Sequence, residues 1–443
     1  MSTFARPAVP SARRSTFLIC AALLASLVAP GTTGAVAPAT DLTFSPPVRL
    51  GAPAGDDWEP AIAASADGRI SILFKHYDVA SGAIVSCDDP SGCDRRILLQ
   101  TSTDGGASFG PPRAIDPGRV GYDSQILTDP TDSTRVYGSF LVETKSSIGF
   151  VRSTDAGVTW SPTRIIDPLT KATDKDVLAA RGADVYVAYN AFQKTYISSS
   201  HDGGDTWATT LGTTTAQGVL GWALPSAGVV MPDGTVLFAW SGQERNGGAK
   251  GPVNLYVTRS TDGGATWQTI LVDRSQSAPS CGCGAYAFYG AQMALAVDST
   301  GRVHALYNLS PSPFGPARIL YRTSDDGLTW STPRDLSAAP GGANNVFPAI
   351  AAAGSDVRVA WMDDRSGAFR VYLRASGDGG ATFGGETILS ADLAYSYQSP
   401  EGFAFPYGDY FELDITPDGR TVAVWGEGPG YDGPGNVFFA REP

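Results

Sequence analysis

One octapeptide pattern recurs six times along the chain: Ser or Thr, any residue, Asp, any, Gly, any, Thr or Ser, aromatic. It stands at residues 102–109 (STDGGASF), 153–160 (STDAGVTW), 200–207 (SHDGGDTW), 260–267 (STDGGATW), 323–330 (TSDDGLTW) and 376–383 (SGDGGATF). Copies spaced 47–63 residues apart mark one supersecondary unit each. Within a copy, Asp can accept hydrogen bonds from its own turn, Gly supplies a positive φ, and the aromatic returns the chain to the core. Each copy therefore reads as a hairpin turn, and its Asp as a turn lock rather than a catalytic acid.

The flanking segments define the unit. A short alternating strand precedes each turn, as in residues 96–101 (RILLQT) and 254–259 (NLYVTR). Two more strands joined by a Gly turn lie upstream, as in 61–64 with 70–74 and 294–297 with 303–307, and an outer strand follows, as in 109–116 (FGPPRAID). Four antiparallel strands per unit make the blade of a β-propeller. Inner strands begin near Glu59, Ser124, Lys175, Pro225, Gln292, Phe347 and Tyr410, seven starts against six octapeptides. The last unit stops after its third strand, 436–440, and residues 44–51 (FSPPVRLG) resemble the outer strand FGPPR at 109–113. The expected fold is all-β, a seven-bladed β-propeller closed by its N-terminal strand; the alternative is six blades with an added hairpin. Closure of this kind removes exposed sheet edges.

Composition fits a large exported domain. The 443 residues include 52 Gly and 31 Pro, a turn-rich content. A net charge of −12 argues against a general nucleic-acid binder, because no broad cationic surface would neutralise phosphates. Residues 1–37 carry three Arg and no acid before an apolar run and the sequence Ala35-Val36-Ala37, which reads as a secretory signal cleaved near Ala37. The expectation is thus a secreted chain without a membrane span, with one propeller domain over 38–443, acting as a monomer. The four cysteines of that domain, Cys87, Cys93, Cys281 and Cys283, suggest disulfides, with three pairings open. Three scattered His make poor zinc-site material, so no metal or cofactor is expected.

The octapeptide resembles the Asp-box, or bacterial neuraminidase repeat, over nearly all of residues 41–443, and so places the chain beside the sialidase-like superfamily. That family's Arg-Ile-Pro motif has no counterpart in the first blade, which reads Asp57-Trp58-Glu59-Pro60-Ala61-Ile62. The resemblance implies a glycan-active propeller, with fold better specified than activity.

Internal repetition locates candidate residues, since positions alike in every blade build the scaffold and those that differ at the channel mouth are free to serve chemistry. Glu59, Asp123, Glu244 and Asp409 are candidate acid, base or nucleophile, with Tyr410 as an alternative nucleophile or orienting phenol. Carboxylates gathered around one channel would titrate apart, as hydrolysis of a glycosidic bond requires. Lys175, Arg245, Arg365, Asp364, Gln292 and His76 are candidate ligand-holding residues, and Trp58, Tyr289 and Phe347 would stack on sugar faces. His304, inside a strand, reads as structural. An exo-acting glycoside hydrolase is the first expectation. The alternatives are a non-catalytic propeller binding a glycan or protein, and a polysaccharide lyase using His76, Tyr77 and Lys175.

Overall fold

A computed structural model describes residues 41–77, 95–142, 147–166, 174–191, 194–213, 223–243, 251–279, 290–337, 341–367, 369–390, 408, 410–427 and 435–443. Its strands form seven four-stranded antiparallel sheets. Blades 1 to 6 each use four consecutive strands, with inner strands Asp56–Ala64, Gly121–Thr128, Asp174–Arg181, Ala223–Val230, Met293–Val297 and Asn345–Ala353. Blade 7 takes its inner three strands, Glu412–Ile415, Thr421–Glu427 and Asn436–Arg441, from the C-terminal end and its outer one, Val48–Arg49, from the other end. Val48 pairs with Phe439 and Arg49 with Phe438, and Leu50 donates its N–H to the Val437 carbonyl at 2.8 Å.

The period-2 alternation of each strand decides what holds the ring together, because successive side chains leave opposite faces of a blade. Ala61, Ala63 and Leu73 of blade 1 pack against Ile126, Phe140 and Val151 of blade 2. Ile62, Ile72 and Phe74, one step out of phase, pack against Val422, Val424 and Phe439 of blade 7. The same arrangement recurs between blades 2 and 3, 3 and 4, 4 and 5, 5 and 6, and 6 and 7. Seven inter-blade cores close the ring.

The octapeptides lock the turns between third and outer strands. In the fourth copy Ser260 Oγ donates to Asp262 Oδ1 at 2.8 Å and accepts from the Gly264 N–H at 2.9 Å, while Asp262 accepts from the N–H and hydroxyl of Thr266. Copies one, two, three and six repeat this pattern. The fifth copy departs from the sequence reading by one position. Its third strand ends at Ser324, so the lock is Ser324 with Asp326, whereas Asp325 points out to Arg302. The turn also bonds to the inner hairpin of its own blade, as Gly105 N–H does to the Gly68 carbonyl. All these turns therefore lie at the end of the ring opposite the starts of the inner strands.

Candidate functional site

The starts of the inner strands are irregular in a shared way. Pairing of inner and second strands slips between Trp58 and Ala61, Tyr122 and Ser124, Asp174 and Val177, Pro225 and Ala227, and Val346 and Ala349. These are β-bulges, which bend a strand and re-aim its side chains. In four of them a non-glycine residue takes a positive φ: Glu59 (53°), Asp123 (32°), Lys175 (53°) and Phe347 (53°). Left-handed backbone costs an L-residue about 1–2 kcal/mol. Strained backbone clusters at functional sites, and of these four residues Asp123 and Lys175 line the cavity described below, while Phe347 turns into the core between blades 6 and 7.

Tyr410, ahead of the inner strand of blade 7, crosses this end of the ring. Its hydroxyl accepts from the Ser124 N–H at 2.9 Å and faces the Ser124 carbonyl at 3.3 Å, in blade 2. Lys175 Nζ of blade 3 lies 4.8 Å from the Tyr410 ring centroid. Burial, followed by the charges of Glu59, Asp123 and Asp176, pushes the phenol well above its ordinary pKa. Tyr410 thus stays protonated, and its proton is directed at the Ser124 carbonyl, an arrangement that ties blades 7 and 2 and disfavours a phenolate.

Beneath it, Asp176 is buried and receives the Ser139 hydroxyl on Oδ2 at 2.5 Å. Burial lifts its carboxyl to about 8, and the negative charge of Asp123 adds to the shift. One carboxyl held protonated beside another that carries charge is the arrangement that divides acid from base at one pH.

The cavity along the ring axis has a volume of about 530 Å³ and is walled by inner strands of all seven blades. Glu412 and Asp414 of blade 7 face it. Glu412 Oε2 accepts from the Ile62 N–H at 2.9 Å and Asp414 Oδ2 from the Ala64 N–H at 2.8 Å, both on the inner strand of blade 1. Burial raises Glu412 to about 8 and Asp414 to about 6. Both alternate with Leu413 and Ile415, which pack on blade 6. The sequence reading missed this pair and did not single out Asp176. The signal was present in the repeats: the matching positions are Ala61 and Ala63 in blade 1, Val177 and Ala179 in blade 3, and Ala349 and Ala351 in blade 6.

The structure places the other candidates as follows. Gln292 lines the cavity, its N–H donating to Asn308 Oδ1 at 2.8 Å. Phe347 is buried among the apolar residues between blades 6 and 7, and Trp58 is buried edge-on to Tyr77 with Lys75 Nζ 5.8 Å from its ring centroid, so neither presents an open face. His76 is buried with Nδ1 2.7 Å from Asp57 Oδ1, and burial raises Asp57 above its ordinary value. Arg365 pairs with Asp363 and Glu386 over the Tyr372 ring, and Asp364 accepts from the backbone and side chain of Asn344. Both lie outside the cavity lining. His304 is enclosed, with Nδ1 on Tyr321 Oη and Nε2 on Asp298. Glu244, Arg245, Tyr289 and Asp409, like the four cysteines of the propeller domain and residues 1–37, lie outside the described residues. Among the described residues no group of three or more His, Cys, Asp and Glu could hold a metal ion, and no helix is long and apolar enough to cross a membrane.

The profile of the BNR repeat-like domain matches residues 48–282, more than half of the chain. The chain belongs to the BNR repeat-like family. Among solved structures, this BNR repeat propeller is similar to a protein of unknown function from Dyadobacter fermentans, with a TM-score of 0.50 and 14% identity over 90% of this chain and 98% of that one. An ulvan lyase bound to a GlcA–Rha3S segment gives a TM-score of 0.49 and 10% identity, covering 87% and 91%. A Hadza microbial sialidase gives 0.44 and 13%, covering 87% of this chain and 65% of that one. At these identities the likeness is one of fold.

Proposed function

We propose that this BNR repeat propeller is a glycan-active enzyme that hydrolyses a glycosidic bond at the mouth of its central cavity. The carrying observation is the carboxyl pair: Asp176, held protonated to about 8 by burial and by the neighbouring charge of Asp123, with Tyr410 above it. Asp176 donates the proton to the leaving oxygen. Asp123, which lines the cavity and whose charge acts on Asp176, serves as base or nucleophile. Lys175, held over the Tyr410 ring, orients the sugar. A cavity of this volume, closed all round by the ring, is in the range of small-ligand sites, which supports attack on a chain end over the middle of a polymer. The N-terminal segment supports action outside the cell.

The test is a panel of chromogenic glycosides and natural oligosaccharides offered to the wild-type chain and to Asp176→Asn and Asp123→Asn. Loss of a general acid or base lowers the rate about 10²–10⁴-fold. Variants that turn over as fast as wild type would remove these residues from the chemistry. Glycan binding without turnover of any member would turn the reading to a binding propeller.

A further inference from the structure

The cavity's lining carries a chemical preference that the hydrolytic reading does not contain. Among the described lining residues, Asp123, Asp174, Asp176, Glu412 and Asp414 are acids and Lys175 is the only cation. Its ammonium lies over the Tyr410 ring, close to Asp176. Low-dielectric walls strengthen the field of such a set. Asp176 and Glu412 keep their protons near neutral pH, so the like charge that a ligand carboxylate or sulfate would meet comes from the other acids of blades 2, 3 and 7.

A second observation is independent of charge. Asp176 Oδ1 and Gln243 Oε1 are buried, line the cavity and make no hydrogen bond. Asp176 opens the inner strand of blade 3, and Gln243 ends the second strand of blade 4, the adjacent blade, at the same end of the ring. A buried polar atom without a partner has lost its hydration with nothing in return, so such groups call for a partner supplied from outside. Hydroxyl groups of a sugar donate hydrogen bonds. A carboxylate or sulfate only accepts, and cannot satisfy Gln243 Oε1; Asp176, which keeps its proton while Oδ2 accepts from Ser139, presents a hydroxyl at Oδ1.

We propose that the cavity receives the hydroxyl-bearing end of an uncharged glycan and rejects acidic sugars, with Gln243 accepting a hydrogen bond from one of its hydroxyls and protonated Asp176 donating to an oxygen of the sugar. This rests on the glycan-active reading of the site but not on turnover, so binding tests it apart from catalysis.

The experiment is equilibrium binding of the purified full chain to a glycan array holding matched pairs that differ only at one terminal group: glucose with glucuronate, galactose with galacturonate, and asialo with sialylated termini. The expected result is binding confined to neutral members, at least about tenfold over their acidic partners. Gln243→Met keeps the length of the side chain and removes the acceptor; its expected effect is a loss of about tenfold in affinity for the preferred neutral glycan with an unchanged melting temperature. An acidic member bound as tightly as its neutral partner, no neutral member bound, or wild-type affinity in a folded Gln243→Met chain would each overturn the proposal. Hydrolysis with an acidic preference would leave the catalytic reading standing and remove this one.

Discussion

The hydroxyl of Tyr410 meets the backbone of Ser124 at 2.9 and 3.3 Å, joining blade 7 to blade 2 across the head of blade 1. Residues 286 positions apart are thereby held at one end of the axis, above Asp176 and beside Glu59 and Asp123. Tyr410→Phe removes this tie while keeping the ring under Lys175. The expected outcome is a fall in kcat of about 10–100-fold from lost positioning, with little change in melting temperature, checked by steady-state kinetics beside thermal unfolding.

The carboxyl pair predicts a pH profile. Asp176 works as an acid only while protonated, so the rate falls as pH rises through about 8. Asp123→Asn removes a neighbouring negative charge that raises that value, so the residual activity loses its alkaline limb at lower pH. A limb that stays in place would show that Asp123 does not act on the proton donor.

Stability should respond to the blade 7 acids in the opposite sense from most carboxylates. Folding raises Glu412 from 4.5 to about 8 and Asp414 from 3.8 to about 6. Between about pH 4 and 8 the folded chain therefore holds protons that the unfolded chain releases, and raising the pH through this window favours unfolding. Glu412→Gln keeps the hydrogen bond from Ile62 and removes the charge. Melting temperatures from pH 5 to 8 should fall for wild type and fall less steeply for the variant, in which Asp414 and Asp176 still titrate.

The octapeptides predict the acid limb. Hydrogen bonds from the Ser or Thr immediately before the aromatic hold Asp104, Asp155 and Asp262 down to about 2. Their folded values are depressed, so the stability they confer is complete above about pH 4 and is lost as pH falls toward 2. Ser260→Ala removes a buried group that both donates to Asp262 and accepts from Gly264, and should cost about 1–3 kcal/mol by chemical denaturation.

Ring closure can be tested at Leu50, which is buried against Val437 and Phe439 and bonded through its N–H to Val437. Leu50→Asp should cost about 3 kcal/mol or more, from lost packing and a buried carboxylate. Releasing the N-terminal strand uncovers the edge of Asn436–Arg441, so self-association should rise together with the loss of stability, visible by light scattering.

How far the sequence carried differs between scaffold and site. The octapeptides and the likeness of residues 44–51 to 109–113 foretold blade count and closure, because turn chemistry and alternation are local. The positions Glu59, Asp123, Lys175 and Phe347 were legible because each stands at or beside the start of an inner strand. Glu412 and Asp414 stand out against the apolar residues at the matching positions of blades 1, 3 and 6, but their burial and their bonds to the inner strand of blade 1 exist only in the closed ring. Arg365 looked like a ligand-holding cation, yet its partners Asp363 and Glu386 are set by the packing of blade 6.

What the sequence by itself determined is therefore the repeat unit, its turn locks, the number of blades and the strand that shuts the ring, all of which follow from patterns a few residues long. Only the tertiary structure decided which polar side chains share the axis and in what protonation state. Those properties depend on burial and on charges brought together from blades 1, 2, 3 and 7. Neither burial nor proximity exists until the ring has closed.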